Sequence, residues 1–359
     1  MAQQSSAPIA FGIFDWLDES GRDASETYED RLKMAELADK TGYYCYHLAE
    51  HHGSALSSTP SPNVFLSAVA QRTQRLHVGA LTYLLPLYNP LRLLEELCML
   101  DQLSRGRLEI GVSRGPSPIE SAQYHVSPED ARPMFREVMD LLIMGFNTGE
   151  LNYAGKYYQY DHVKTRLRPY QKPYPPFWYP TSNVESIEYM GAQGMNAIFS
   201  LRMMRSMDRV IEMVGAYQQQ LAVHQNDSGR ANGHIARPFS GLNFHIHVAD
   251  TEEAARRQAE AAYKVFHANF IQRFIEHGAS HSYGEAADFD KAVAEGHMLV
   301  GTPQTVADKL SGYLEMTQAN YILGAFAWGS FTRDQLLRSI DLFAREVMPR
   351  VSVAATQPA

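Results

Sequence analysis

Two cysteines in 359 residues, Cys45 and Cys98, are too few for a disulfide scaffold. Both lie in apolar stretches, which reads as buried free thiols in a reducing compartment. No apolar run is long enough to span a bilayer, so no membrane association is expected. The first eight residues are polar and lack an apolar core, so no signal peptide is expected and the expected location is cytoplasmic. Positive charge is scarce as well. Lys and Arg number 32 against 40 acidic residues, the formal net charge is −8, and no basic run exceeds Arg256-Arg257, which speaks against a nucleic-acid partner. The first apolar strand is followed by Asp15-Trp16-Leu17-Asp18 rather than a Gly-x-Gly-x-x-Gly turn. That counts against a doubly wound dinucleotide-binding sheet, the alternative to the fold read below.

What is present is ordinary α/β material, 45% hydrophobic and 20% charged, enough for one large barrel or two smaller domains. Short apolar strands open at Ile9, Tyr43, Leu76 and Leu108, an almost constant spacing, with helical periodicity over 28–40, 62–71 and 90–103 between them. A helix over 131–146 follows. Residues 151–175, rich in Tyr, Lys and Pro, then read as an excursion that contains a hairpin. Strands resume at 177–179, 195–200, 241–248 and 320–327, with helices after each. Residues 278–296 are rich in Gly, Ala, His and Asp with weak periodicity, which reads as an active-site lid. Residues 351–359 read as a disordered tail. Eight strands alternating with helices predict a single (β/α)8 TIM-barrel domain over 1–359, with insertions after strands four and seven.

In such a barrel the polar groups at the strand ends share one face. Strand four ends in Ser113-Arg114-Gly115, where a glycine permits a tight turn and a guanidinium can donate two parallel bonds to a phosphate. An exposed ion pair is an equally good reading of Arg114 alone. Strand five ends in Thr181-Ser182-Asn183, with Ser186 one turn on. This is an anion-binding arrangement at a helix start, although Ser182 and Asn183 are also the preferred helix caps. Strand two ends in Glu50-His51-His52, where one ring enters the cavity and its neighbour supports it. No Cys-x-x-Cys spacing accompanies the pair, and His245 and His247 on strand seven lie at another depth, so no metal site is expected. Phe14, Trp16, Tyr83, Trp178 and Trp328, near strand ends, serve equally as an apolar pocket or as barrel core.

Three of these segments, taken in order, resemble the bacterial-luciferase-like, flavin-dependent monooxygenases. Glu50-His51-His52 matches the family's acidic-His-His motif. Pro86 to Pro90 with Leu100 to Arg107 matches its third-helix region, and Ile110 to Gly115 matches its fourth strand. Gly301-Thr302-Pro303 before a helix is also characteristic. The resemblance implies that Arg114 holds the phosphate of FMN, aided by Ser182, Asn183 and Ser186. It also implies a cis peptide at Leu81-Thr82 beneath the flavin ring, and His51 beside the flavin C4a region with His52 as its neighbour. Ser113 stands where luciferase has a reactive cysteine, and Asn89 replaces a luciferase histidine, which argues against thiol dependence and an aldehyde substrate.

The implied activity is a monooxygenase that takes reduced FMN (FMNH2) from a separate NAD(P)H:flavin reductase. It would react with O2 through a C4a-peroxyflavin and oxygenate a small organic substrate. The alternatives are an F420-dependent oxidoreductase of the same fold and a non-catalytic, luciferase-like partner subunit. The resemblance also implies a homodimer packed through the helices after strands two and three, where Leu91, Leu93, Leu94, Leu97, Met99 and Leu100 exceed one buried face.

Overall fold

A computed structural model describes residues 9–115, 117–278 and 288–354 of the chain. A parallel sheet closes on itself from strands β1 (Ala10–Asp15), β2 (Cys45–Leu48), β3 (His77–Ala80), β4 (Tyr83–Leu84) and β5 (Ile110–Ser113), then from five further strands after an excursion. That excursion is the antiparallel hairpin β6 (Glu150–Ala154) and β7 (Gln159–Lys164), as its turn chemistry predicts. The barrel resumes with β8 (Phe177–Thr181), β9 (Asn196–Ser200), β10 (Ser240–Val248), β11 (Met298–Gly301) and β12 (Tyr321–Ala325). The order around the sheet is β3-β2-β1-β12-β10-β9-β8-β5-β4, with β11 added on β10.

β4 continues β3 and pairs with β5, so the two share one of eight barrel positions. The ring closes between β3 and β5. Val78 N–H donates to Arg107 O and Glu109 N–H donates to Val78 O, each at 2.9 Å. This contact needs glycine. A Cβ at Gly79 would lie 2.1 Å from Glu109 O, and one at Gly111 2.3 Å from Ala80 O. The fold is the expected (β/α)8 barrel.

Helices α1 (Ala24–Thr41), α2 (Pro62–Arg72) and α3 (Pro90–Ser104) follow the first three strand positions. The starts of α1 and α3 and the end of α1 show recognisable capping chemistry. Asp23 caps α1 through Ser25 N–H, Gly42 ends it at φ 91°, and Asn89 caps α3 through Arg92 N–H. After β5 come α4 (Pro118–Gln123) and α5 (Pro128–Thr148), and beyond the hairpin α6 (Val184–Gln193), α7 (Leu201–Met204) and α8 (Met207–Val223). The second insertion holds α9 (Glu252–Glu276) and α10 (Phe289–Ala294), followed by α11 (Pro303–Thr317), α12 (Arg333–Leu342) and α13 (Met348–Ala354). Among the described residues no helix is long and apolar enough to cross a membrane.

Three details differ from the sequence reading. Residues 289–294 of the weakly periodic stretch are helical, with Phe289 and Ala292 buried, and β11 follows unannounced. Residues 279–287, at the centre of the expected lid, lie outside the described residues. α13 carries the chain to residue 354 and buries Val351, four residues into the expected tail, and residues 355–359 lie outside the description.

The floor of the barrel is polar, and Glu109 at its centre is bonded at both carboxylate oxygens. Glu109 accepts from Tyr44 Oη and Trp178 Nε1 at 2.5 Å each and bonds His77 Nδ1 at 2.9 Å. Beside it His47 Nε2 lies 3.0 Å from Tyr321 Oη, and burial pushes the His47 pKa down to about 3, so the ring is neutral. Trp178 and Trp328 are buried core, as is Tyr83.

Candidate active site

At the carboxyl end of the strands lies a cavity of about 310 Å³. Nearly every barrel position contributes to it. Phe14 and Trp16 come from β1, Glu50 and His51 from β2, Leu81 and Thr82 from the β3–β4 junction, and Ser113 and Arg114 from β5. Ser182, Asn183 and Ser186 follow β8, Ser200 ends β9 and Arg202 follows it, and Asn243 lies on β10. Eight of the nine site residues read from the sequence therefore line one space. His52 does not.

The corner formed by Arg114 and the start of α6 has the character of an anion site. Arg114 is exposed and makes no hydrogen bond or ion pair among the described residues, so the ion-pair reading does not account for it. Asn183 is the cap of α6: its Oδ1 accepts from Glu185 N–H at 3.0 Å, and its own N–H donates to Thr181 Oγ1 at 2.9 Å. Capping thus explains the Asn183 carbonyl oxygen. It does not explain Ser182 or Ser186, whose hydroxyls have no hydrogen-bond partner among the described residues. A guanidinium, two hydroxyls and the first turn of a ten-residue helix converge there.

The two histidines after β2 separate as neighbours on an extended backbone must. His51 turns to the cavity, and its Nδ1 lies 3.0 and 3.3 Å from the two carboxylate oxygens of Glu120, a buried residue of α4. A carboxylate there makes Nδ1 the donor and puts the basic lone pair on Nε2. His52 turns the other way. Its Nε2 lies 2.9 Å from Glu50 Oε1 and its Nδ1 2.8 Å from Tyr124 Oη. Burial pushes the Glu50 carboxyl above the usual range, while bonds from His52, Tyr88 and Leu84 N–H pull against it. His51 is thus the ring at the cavity, and His52, named with it as a catalytic candidate, takes the supporting position behind Glu50.

Under the cavity the Leu81–Thr82 peptide is cis. Thr82 Oγ1 and Ser113 Oγ lie 2.6 Å apart, joining β4's start to β5's end. Asn89 caps α3 and does not reach the cavity. His245 is stacked on Trp16 at 5.0 Å and His247 on Phe331 at 4.3 Å, so the two rings belong to separate packings. Burial drives the His245 pKa well down, with Arg202 adding to the effect. The sequence reading overlooked Glu120, Ser200, Arg202 and Asn243. Glu120 stands 69 residues from His51 in a six-residue helix with no periodicity to read. Ser200 and Arg202 carry a weaker signal, a polar pair at the end of strand six.

The family described as luciferase-like monooxygenase matches residues 9–319, and the chain belongs to that family. Its relatives include proteins named as monooxygenases, which makes it an oxidoreductase by kinship. It is 36% identical over 343 residues to protein y4wF of Sinorhizobium fredii (strain NBRC 101917 / NGR234), spanning 96% of this chain and 97% of that one. It is 27% identical over 340 residues to the oxygenase component of the flavin-dependent trigonelline monooxygenase of Acinetobacter baylyi (strain ATCC 33305 / BD413 / ADP1), spanning 91% of each. The oxygenating constituent of 3,6-diketocamphane monooxygenase from the CAM plasmid of Pseudomonas putida has the same fold. It superposes at a TM-score of 0.79 and 19% identity over 96% of this chain and 99% of that one.

Proposed function

We propose that the chain is the oxygenase of a two-component FMN-dependent monooxygenase, acting on a small organic substrate with electrons delivered by a separate NAD(P)H:flavin reductase. One observation carries the reading: Arg114 meets the Ser182 and Ser186 hydroxyls at the start of α6, none of them with a partner of its own among the described residues, at the mouth of a cavity walled by Leu81–Thr82. This donor set fits a phosphate, and the apolar and amide wall beside it fits a flat ring system. The flavin-dependent oxygenase component among the relatives supports both the flavin and the separate reductase.

Bound reduced flavin would supply the electrons that activate O2 for transfer of one oxygen atom to the substrate. The chain's own work is narrower. Arg114, Ser182, Asn183 and Ser186 hold the phosphate end. Leu81, Thr82 and Ser113 shape the wall below, and Phe14 and Trp16 keep water from the opposite side. His51, fixed by Glu120, takes up or returns a proton at Nε2. His52 acts behind Glu50 and not on substrate. The protein works as a single cytoplasmic barrel domain. It pairs as a homodimer through α2 and α3, where Val64, Met99 and Leu103 stay exposed while Leu93, Leu94 and Leu97 are buried.

An anaerobic titration with FMNH2, followed by an oxygen pulse watched by absorbance, tests the reading. Binding of FMNH2 well ahead of reduced riboflavin, followed by a delayed return of oxidised flavin, is the expected result. Binding of F420 in place of FMN would move the chain to the deazaflavin oxidoreductases. Binding of neither would make it a non-catalytic partner subunit.

A further inference from the structure

His52 is bonded at both ring nitrogens, yet it does not touch the cavity. Its partners lie on opposite sides of the protein's skin. Tyr124, which follows α4, is 44% exposed and donates its phenol O–H to His52 Nδ1 at 2.8 Å. That bond leaves the hydrogen on Nε2, which donates to Glu50 Oε1 at 2.9 Å. Glu50 is buried and lines the cavity. Its second oxygen is occupied: Oε2 accepts from Tyr88 Oη at 2.7 Å and Leu84 N–H at 3.2 Å. Oε1 is thus the oxygen that faces His52, and the two donors, phenol and imidazole, point the same way, inward.

We infer that Tyr124, His52 and Glu50 form a proton relay from solvent to the cavity. In one passage the phenol proton moves to Nδ1, the Nε2 proton moves to Glu50 Oε1, and the phenol oxygen takes a proton from water. Glu50, which lines the cavity, then gives its proton to an acceptor there, and a turn of the His52 ring restores the hydrogen to the Glu50 side. One proton enters and no electrons move. The need for it rests on the proposed reaction. An oxygenation that consumes the anionic form of a reduced flavin takes up one proton for each oxygen atom transferred and each water released. His51 holds its own proton against Glu120, so a second route to solvent restores the charge balance of the cavity. The titratable groups facing the relay are Glu120 beside Tyr124, with Tyr88, Tyr83 and Glu96 on the Glu50 side.

The test uses the full chain without flavin, so it stands or falls separately from the proposed reaction. The exchange of the His52 Nε2–H with water is measured by NMR on 15N-labelled protein, in wild type, Tyr124→Phe and Glu50→Gln. The first substitution removes only the phenol oxygen and keeps the ring contact with His52, now at a centroid distance of 4.7 Å, while the second keeps an acceptor for Nε2–H. A relay predicts that each substitution slows the exchange, by about tenfold for the loss of one linking bond. A merely structural contact predicts the opposite sign for Tyr124→Phe, since a loosened ring exchanges faster. Unchanged or faster exchange in Tyr124→Phe overturns the relay. Slowed exchange in a protein that fails to bind FMNH2 would keep the relay and remove the flavin.

Discussion

Replacing Arg114 by alanine isolates phosphate recognition from the rest of the fold. The side chain is exposed and makes no bond within the described protein, so its removal leaves no buried group without a partner. The change in folding stability should stay within about 0.5 kcal/mol. Its effect on the ligand is larger. A charge-assisted bond from a guanidinium to a phosphate oxygen is worth about 2 kcal/mol, which is roughly thirtyfold in affinity. Ser182, Ser186 and the α6 N-terminus remain, so binding weakens without vanishing. The assay is an anaerobic titration of wild type and Arg114→Ala with FMNH2 and with reduced riboflavin, which lacks the phosphate. The thirtyfold loss should appear for FMNH2 alone, with the two proteins indistinguishable towards riboflavin. Equal losses for both ligands would mean that Arg114 shapes the cavity and does not grip a phosphate. No loss for either would place the anion elsewhere.

His51→Ala should bind FMNH2 as wild type does and lose most product formation, and Glu120→Ala should approach it because the ring loses the carboxylate that sets its tautomer; substrate turnover at unchanged flavin affinity checks both. Gly79→Ala should lower stability by about 3 kcal/mol, because the new Cβ meets backbone at the point where the barrel closes; an unchanged urea midpoint would refute the closing contact. Asp18 is buried beneath Asn269 and Gly329, and burial lifts its pKa from the ordinary 3.8 to about 6. A carboxyl raised in the folded state holds its proton there and not in the unfolded chain, so this group favours folding progressively as pH falls from about 6 to about 4. Asp18→Asn should remove that slope and gain up to about 3 kcal/mol at pH 7. Parallel stability–pH curves for the two proteins would show that Asp18 does not titrate in this window.

The barrel was legible because its signals are local. Apolar strands recur at an almost constant interval, and caps such as Asn89 and Thr302 mark the helix starts three residues at a time. The cavity lining was legible for a related reason: in a parallel barrel, position at a strand's end is enough to assign a residue to the site face. Pairing was harder to read. Nothing in Glu50-His51-His52 says which carboxylate each ring will find, and the answer crosses over, with His51 going to Glu120 and His52 to Glu50. β11 was hidden for a different reason, being four residues long and preceded by glycine-rich, acidic sequence that carries no period. Ser200 was legible as the end of a strand, but its place in the cavity with Arg202 was not, because only the closed ring sets β9 one strand away from Arg114's β5.

That ring has an evolutionary corollary. The residues proposed for the flavin lie at the ends of β2, β3, β5 and β8, whereas Ser200, Arg202 and Asn243 enter the same cavity from β9 and β10. On the proposed function, the residues that would hold the flavin and those that line the rest of the cavity are written on different segments of the gene. A lineage can reshape the second set by point mutation, insertion or recombination while the first is inherited intact. Randomising positions 200, 202 and 243 alone should then alter which substrates are taken while leaving FMNH2 affinity unchanged.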